Sequence, residues 1–272
     1  MVKAQMSFWC VEREITFRNV RKVFGQKEAL AGIDLAFRPF EIHSILGPNG
    51  SGKTTMLRII GGLSSQTSGD VSVLGFSPIE QKAEIRKICG FVEENPSIYN
   101  SMTLREYVGF LISMRGLDFE TAWKRAESLI GGFSLGEYYD NLIGSFSFGT
   151  RQKAAIVGAL IHDPKVIVMD EAYKGLDPHS FTLLKRLLKS FSQAGRIVIF
   201  STHILEIAES LCDRMSILYN GRIIFSDSVS SFSRLASEEG LSGEDMFIRL
   251  TGESDMTSVQ EDVMRNFNDS GN

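Results

Sequence analysis

The stretch Gly47-Pro48-Asn49-Gly50-Ser51-Gly52-Lys53-Thr54 carries the most definite chemistry in this chain, and it fits the pattern G, four free positions, then G-K-[ST]. In a strand–loop–helix setting the glycines let backbone N–H groups turn inward toward anionic oxygens. The helix N-terminus adds positive dipole, and the lysine reaches the terminal phosphates. Thr54 offers a hydroxyl to Mg²⁺, and Thr55 begins the helix beside it. The loop therefore specifies binding of a nucleoside triphosphate and says nothing of how the energy is used.

Other groups are spaced to act with it. Met169-Asp170-Glu171 follows an apolar run directly. An acid at the exposed end of such a strand holds Mg²⁺ directly or through water, and a second carboxylate one residue on can polarise an attacking water. Alone, Asp170 would also read as a helix cap or turn acid; a phosphate loop in the same sheet makes that reading the weaker one. Ser201-Thr202-His203 ends the next strand, at the edge where open α/β sheets bind ligands, so His203 can hydrogen-bond a γ-phosphate. His43, His162 and His179 have no such setting and read as structural or surface residues. Ser147 and Gly149, in Ser145-Phe146-Ser147-Phe148-Gly149-Thr150-Arg151-Gln152-Lys153, open a helix and make either a second anion site or a simple N-cap. Phe24, before Gly25, is either a core aromatic, the commoner case, or a ring able to stack on adenine.

The elements that must hold these groups follow from periodicity. Glu14 to Phe17, Val20 to Phe24 and Ala31 to Phe37 alternate as half-buried strands do. Ile42 to Leu46, Val71 to Leu74, Ile88 to Val92, Val166 to Met169 and Arg196 to Phe200 read as further strands; the run before Asp170 has the continuous apolarity of a parallel strand covered on both faces. A helix with an apolar stripe follows the phosphate loop and ends at Gly61-Gly62. Ser77-Pro78 has the form of a helix N-cap with proline at the first helical position. From Thr103 to about Leu142 the period turns helical, which marks a helical insertion between two sheet-forming halves. Helices are also expected over Ser147–Asp163, after Asp177-Pro178, and over His203–Leu211, and Asn220-Gly221 signals a hairpin. Beyond about Ser228 the chain turns polar and acidic, with one short helix around Met246 to Leu250 and weak order from about Gly252.

The 272 residues are 43% hydrophobic, ample for a sizeable core in one large or two small domains. Lys and Arg total 29 against 33 Asp and Glu, which leaves no basic domain of the kind that coats nucleic acid. Cys10, Cys89 and Cys212 are scattered and odd in number, so they read as ordinary thiols in a reducing cytosol. The first ten residues lack a secretory apolar core, and no run approaches the roughly 18 apolar residues of a membrane helix, so a soluble chain able to dock on a membrane protein is expected.

Taken together, and in order, these motifs resemble the ATPase subunit of an ATP-binding cassette (ABC) transporter over roughly Ile15 to Val229. The octapeptide is similar to Walker A and Val166 to Asp170 to Walker B. Glu171 stands at the catalytic glutamate, Gly175-Leu176-Asp177 at the D-loop, His203 at the switch histidine and Phe24 at the adenine-stacking aromatic. Ser147 to Lys153 resembles the signature segment, with Phe148 in place of its first glycine. Glu94 falls at the Q-loop glutamine, near Mg²⁺, and Ala172-Tyr173-Lys174 replaces the usual Pro-Thr-x. The segments Ile98 to Glu106, Met114 to Leu117 and Glu244 to Gly252 look like the drug, antibiotic and polysaccharide export type.

The resemblance implies an α/β P-loop NTPase cassette with a mostly parallel core sheet flanked by helices, an N-terminal antiparallel β subdomain and an α-helical insertion. It implies an ABC ATPase domain over residues 1–230 with a helical subdomain at about 95–163, then a partly disordered acidic extension over 231–272. Its cofactors would be ATP and Mg²⁺, with Thr54, Asp170 and Glu94 near the metal. Its roles for Glu171, His203 and Lys53 are catalytic. Two such subunits, alike or different, would sandwich ATP between the phosphate loop of one and Ser147 and Gly149 of the other. A separate multi-span permease would hold them at the cytoplasmic face of the membrane, with no nucleic acid involved. Cassette ATPases that act on ribosomes or DNA usually carry two cassettes or long coiled coils, and neither is visible here.

Overall fold

Alternating and continuous apolar runs sort into two sheets in the computed structural model, which describes residues 14–252. β1 (Ile15–Phe24) and β2 (Lys27–Phe37) pair antiparallel, and Ser68–Val73, numbered β4, joins the other side of β1. The second sheet runs β5-β6-β7-β3-β8-β9, with β3 Ile42–Leu46, β5 Cys89–Val92, β6 Val166–Asp170, β7 Ile197–Thr202, β8 Arg214–Tyr219 and β9 Arg222–Ser228. Its strands are parallel except β9, which returns antiparallel on β8 through Asn220 and Gly221, both at positive φ as a tight hairpin requires. β3, β6 and β7 are buried at every position, the pattern of strands covered on both faces. His43 lies inside β3, where burial and nearby Arg214 and Arg38 push its pKa down to about 3, so it packs as a neutral ring bonded to Ser216 Oγ at 2.8 Å.

The helices are α1 (Lys53–Ile60), α2 (Lys82–Ile88), α3 (Leu104–Met114), α4 (Phe119–Gly132), α5 (Phe148–Leu160), α6 (Pro178–Gln193), α7 (Leu205–Leu211), α8 (Val229–Glu238) and α9 (Gly243–Thr251). α3 opens with a reciprocal cap: the Thr103 hydroxyl accepts from Glu106 N at 3.2 Å and Glu106 Oε2 accepts from Thr103 N at 2.8 Å. One large cluster packs α3, α4 and α5 onto Val92, Ile167, Met169 and Phe200, and thereby fixes the helical segment against the strands that end in Asp170 and Thr202. Phe133, at the end of α4, has no exposed surface in this cluster. Phe133→Ala should cost about 3–5 kcal/mol of stability, read as a lower urea midpoint with unchanged slope.

Four local expectations change. Glu14 to Phe17 and Val20 to Phe24 are one strand, kinked where the register slips around Asn19 at φ 47°. Ser77-Pro78 does not cap a helix: Ser77 Oγ accepts from Ile79 N and Glu80 N in a turn, and α2 starts at Lys82. The helix after His203 begins at Leu205. After Ser228 there are two helices where one was expected. The earlier of them, α8, is masked in sequence by its serines, but Phe232 and Ala236 fall on one face and seat on Leu46, Leu205 and Met215. The expected weak order beyond Gly252, the reading of the first ten residues and Cys10 fall outside the described residues. Cys89 and Cys212 are buried free thiols.

Candidate active site

The phosphate loop leaves β3 between its two neighbours β7 and β8, and crowding by β8 explains its first glycine. A Cβ on Gly47 would stand 2.2 Å from the Leu218 carbonyl oxygen, so no side chain fits there. Ser51 Oγ is buried with no hydrogen-bond partner among the described residues, a cost that a bound anion would remove. Lys53, first residue of α1, is 5% exposed and its Nζ donates to the carbonyls of Gly47 at 2.7 Å and Pro48 at 3.0 Å. Burial pulls the Lys53 pKa down, while the carboxylates of Glu171 and Asp170 oppose the shift.

Topology places the acids opposite this lysine. β6 lies two strands from β3, with β7 between, so Asp170, Glu171 and His203 reach the site from adjacent strand ends. Ser201 of β7 ties them: its Oγ donates to Asp170 Oδ1 at 2.5 Å and accepts from Glu171 N at 3.0 Å. Burial raises the Asp170 pKa, against the opposing pull of the Ser201 and Thr54 hydroxyls. Thr54, in the cavity lining, and the neighbouring Asp170 supply the donor types a hard divalent cation takes, one hydroxyl and one carboxylate beside a phosphate cradle, so the residues fit Mg²⁺.

Glu171 has φ 48°, a conformation that is strained for a side-chain-bearing residue. Its carboxylate is 4% exposed; Oε1 lies 3.8 Å from Lys53 Nζ, and Oε2 meets Lys174 Nζ and accepts from His203 Nδ1 at 3.0 Å. Burial pushes its pKa up, but hydrogen bonds from Lys174 and His203 outweigh it and hold the group below its usual range, hence ionised at neutral pH. Lys174 also binds Glu94 Oε1 at 2.5 Å.

A cavity of about 390 Å³ brings together Phe24, Asn49, Gly50, Gly52, Lys53, Thr54, Thr55, Glu94 and Glu171, with Lys27 and Ala29. Phe24 is 53% exposed at its mouth with Lys22 Nζ 4.7 Å from its ring centre, which overturns the commoner core reading. Lys27 went unnoticed in the sequence; a cation two residues past the Phe24-Gly25 turn was the available signal.

Ser147 and Gly149 do not line this cavity. Ser147 caps α5, its Oγ accepting from Thr150 N at 3.2 Å. Gly149 lies against the Gly175 loop so closely that a Cβ would meet the Gly175 oxygen at 2.2 Å. Phe148 covers the other side of Gly175, and Lys153 Nζ binds Asp177 at 2.6 Å. From inside α5, buried Gln152 donates to the carbonyls of Glu93 and Ala172, both at 3.3 Å, and so joins this surface to the residues flanking Glu94 and Glu171.

The model of the ABC transporter family, ABC_tran, matches residues 30–174. The chain is 33% identical over 226 residues to the ABC transporter ATP-binding protein NatA of Bacillus subtilis (strain 168), covering 83% of this chain and 91% of that one. It is 33% identical over 206 residues to the linearmycin resistance ATP-binding protein LnrL of the same organism, covering 76% and 66%. Its fold superimposes on a solved ATP-binding subunit of an ABC transporter with TM-score 0.81 and 26% identity, over 87% of this chain and 99% of that one. It also matches a dimeric bacterial ABC transporter cassette with TM-score 0.72 and 28% identity, over 79% and 98%.

Proposed function

The chain belongs to the ABC transporter family as an ATP-binding, ATP-hydrolysing cassette, and we propose that it powers an exporter whose multi-span permease is a separate chain. The observation that carries this is the split of the chemistry over two faces. Lys53 and Glu171 line the cavity, whereas Ser147 and Gly149 sit apart from it at the start of α5, with Gly149 against Gly175, and would complete the site of a second cassette. The kinship to a dimeric cassette supports that arrangement. Export is supported by the resistance and transport relatives, among them the bacitracin transport ATP-binding protein BcrA of Bacillus licheniformis. Among the described residues no helix is long and apolar enough to cross a membrane, which suits peripheral attachment through the permease at the cytoplasmic face.

In this reading residues 1–230 are the ATPase domain, with a helical subdomain at about 95–163, and 231–272 an extension. Phe24 stacks on the adenine, residues 47–55 cradle the phosphates, and Thr54 and Asp170, with Glu94 close by, hold Mg²⁺, which when bound neutralises phosphate charge. Lys53 exchanges its two carbonyl partners for phosphate oxygens. Glu171 accepts the proton of the attacking water, and His203 holds the glutamate side chain from Nδ1. A cavity of about 700 Å³ between the core sheet and the helical segment, lined by Phe91, Pro96, Ile98, Tyr107, Leu111 and Met114 among others, offers the apolar surface on which permease helices would rest. Affinity purification of the tagged chain from gently solubilised membranes should recover a multi-span protein in stoichiometric amount. Recovery of soluble partners alone would refute the transport role.

A further inference from the structure

Lys174 stands outside the cavity yet contacts two of the carboxylates that line it, Glu94 and Glu171. Its place is fixed by the backbone: Lys174 N donates to the Glu171 carbonyl at 3.1 Å, and the preceding Tyr173 stacks on Phe200 and bonds Thr202 through its hydroxyl at 3.2 Å. Glu94 comes from the far side of the molecule in sequence, at the start of the segment that leads to the helical subdomain. The charges around the cavity explain why the two should meet. Lys27 and Lys53 face Glu94 and Glu171 across the lining, and buried Asp170 lies just behind. Without Lys174 the carboxylates outnumber the cations by one, in a site that must accept a polyanion. With Lys174 the balance is even.

Building on the assignment of this cavity to Mg²⁺–nucleotide, we propose that Lys174 and Glu94 are a matched pair that sets the site's affinity for nucleotide. Glu94 adds a negative charge facing the phosphates, and Lys174 cancels it from behind while holding the carboxylate of Glu171. Lys174 is then required only while Glu94 is present: losing Lys174 alone weakens binding, and losing Glu94 alone or together with it does not. Lys174 is a positioning residue in this scheme, since it acts through Glu94 and Glu171 and does not line the space the nucleotide fills. A merely structural ion pair on the surface would contribute to folding and leave nucleotide affinity where it was.

Direct binding of Mg²⁺–ADP and of Mg²⁺ with a non-hydrolysable ATP analogue, by calorimetry on the full chain, tests the pair. Lys174→Met keeps the aliphatic stem and removes the charge; its Kd should rise at least about tenfold, the effect of one unit charge a few ångströms from a polyanion at a partly screened site. Glu94→Gln should shift the other way, to equal or tighter binding. The double variant should return to within about threefold of the parent, and Lys174→Arg should hold most of the parent's affinity. Thermal melts without nucleotide establish that each variant is folded; should Lys174→Met fail to fold, the opposite sign in Glu94→Gln and the recovery in the double variant carry the test. A Lys174→Met Kd equal to the parent's, a double variant as weak as Lys174→Met, or looser binding by Glu94→Gln would each overturn the pairing. A parent chain that binds no Mg²⁺–nucleotide overturns the site assignment itself, and the pairing with it.

Discussion

Glu171→Gln is expected to lower ATP turnover by roughly 10²–10⁴-fold, the usual contribution of a positioned general base, while nucleotide still binds. Glutamine matches glutamate in size, so the packing of a side chain that is 4% exposed is kept, and its carbonyl oxygen can still accept from His203 and Lys174. What it loses is the charge and the ability to take a proton. Phosphate release measures the first effect. The second is a longer-lived ATP-bound dimer, seen as a shift in size-exclusion chromatography with Mg²⁺–ATP, because a cassette pair that cannot hydrolyse its nucleotide stays in the state that binds it best. Turnover within a few fold of the parent would remove Glu171 from the role of base.

Gly149→Ala is expected to cost about as much turnover as a displaced catalytic group, on the order of 10²-fold, through contacts far from the nucleotide cavity of its own chain. The added methyl would lie 2.2 Å from the Gly175 carbonyl oxygen, which is backbone and cannot swing aside as a side chain can. Either the N-terminus of α5 lifts, carrying the Ser147 cap with it, or the Gly175 loop moves. None of the residues lining the cavity of about 390 Å³ belongs to either segment. Nucleotide binding to the isolated subunit should therefore weaken far less in calorimetry than steady-state hydrolysis does, even where the shift reaches Lys174 beside Gly175. Equal loss of both would mean that Gly149 supports its own chain's cavity and that the two-subunit division of labour is wrong.

The parts of the site legible in sequence are those whose chemistry is local. Gly47 to Thr54 announces a phosphate cradle because loop, dipole and lysine are contiguous, and Asp170 and His203 each follow an apolar run that marks a strand end. Illegible were the links that only a folded sheet creates. Ser201 joins Asp170 to Glu171 across β7, and Gln152 reaches the carbonyls of Glu93 and Ala172 from inside α5. Lys174 and Glu94 are 80 positions apart, and a glutamate at the family's glutamine position makes sense only beside that lysine. Phe24 taken alone read more readily as core, because aromatic residues usually bury, and only its place in the family pattern pointed to adenine; its exposure depends on ending β1 at the lip of the cavity. In the fold, strong periodicity gave the buried strands and the helical insertion. Serine-rich α8 hid its apolar face, and the Ser77-Pro78 turn carries the same residues as a helix start while its hydrogen bonds close too early.

The Asn220-Gly221 hairpin has a use beyond reversing the chain. Gly221 N donates to the Ser51 carbonyl at 3.0 Å, and the Gly221 carbonyl accepts from Ala31 N at 2.8 Å, so one residue clasps the phosphate loop to β2 of the smaller sheet. A short hairpin tip is ordinarily the first place an engineer would open a protein to make new chain ends, graft a reporter or splice in a tag. Here that cut would unfasten the smaller sheet from the phosphate loop. Modular reworking of this cassette has to begin elsewhere, because its most replaceable-looking turn is its hinge pin.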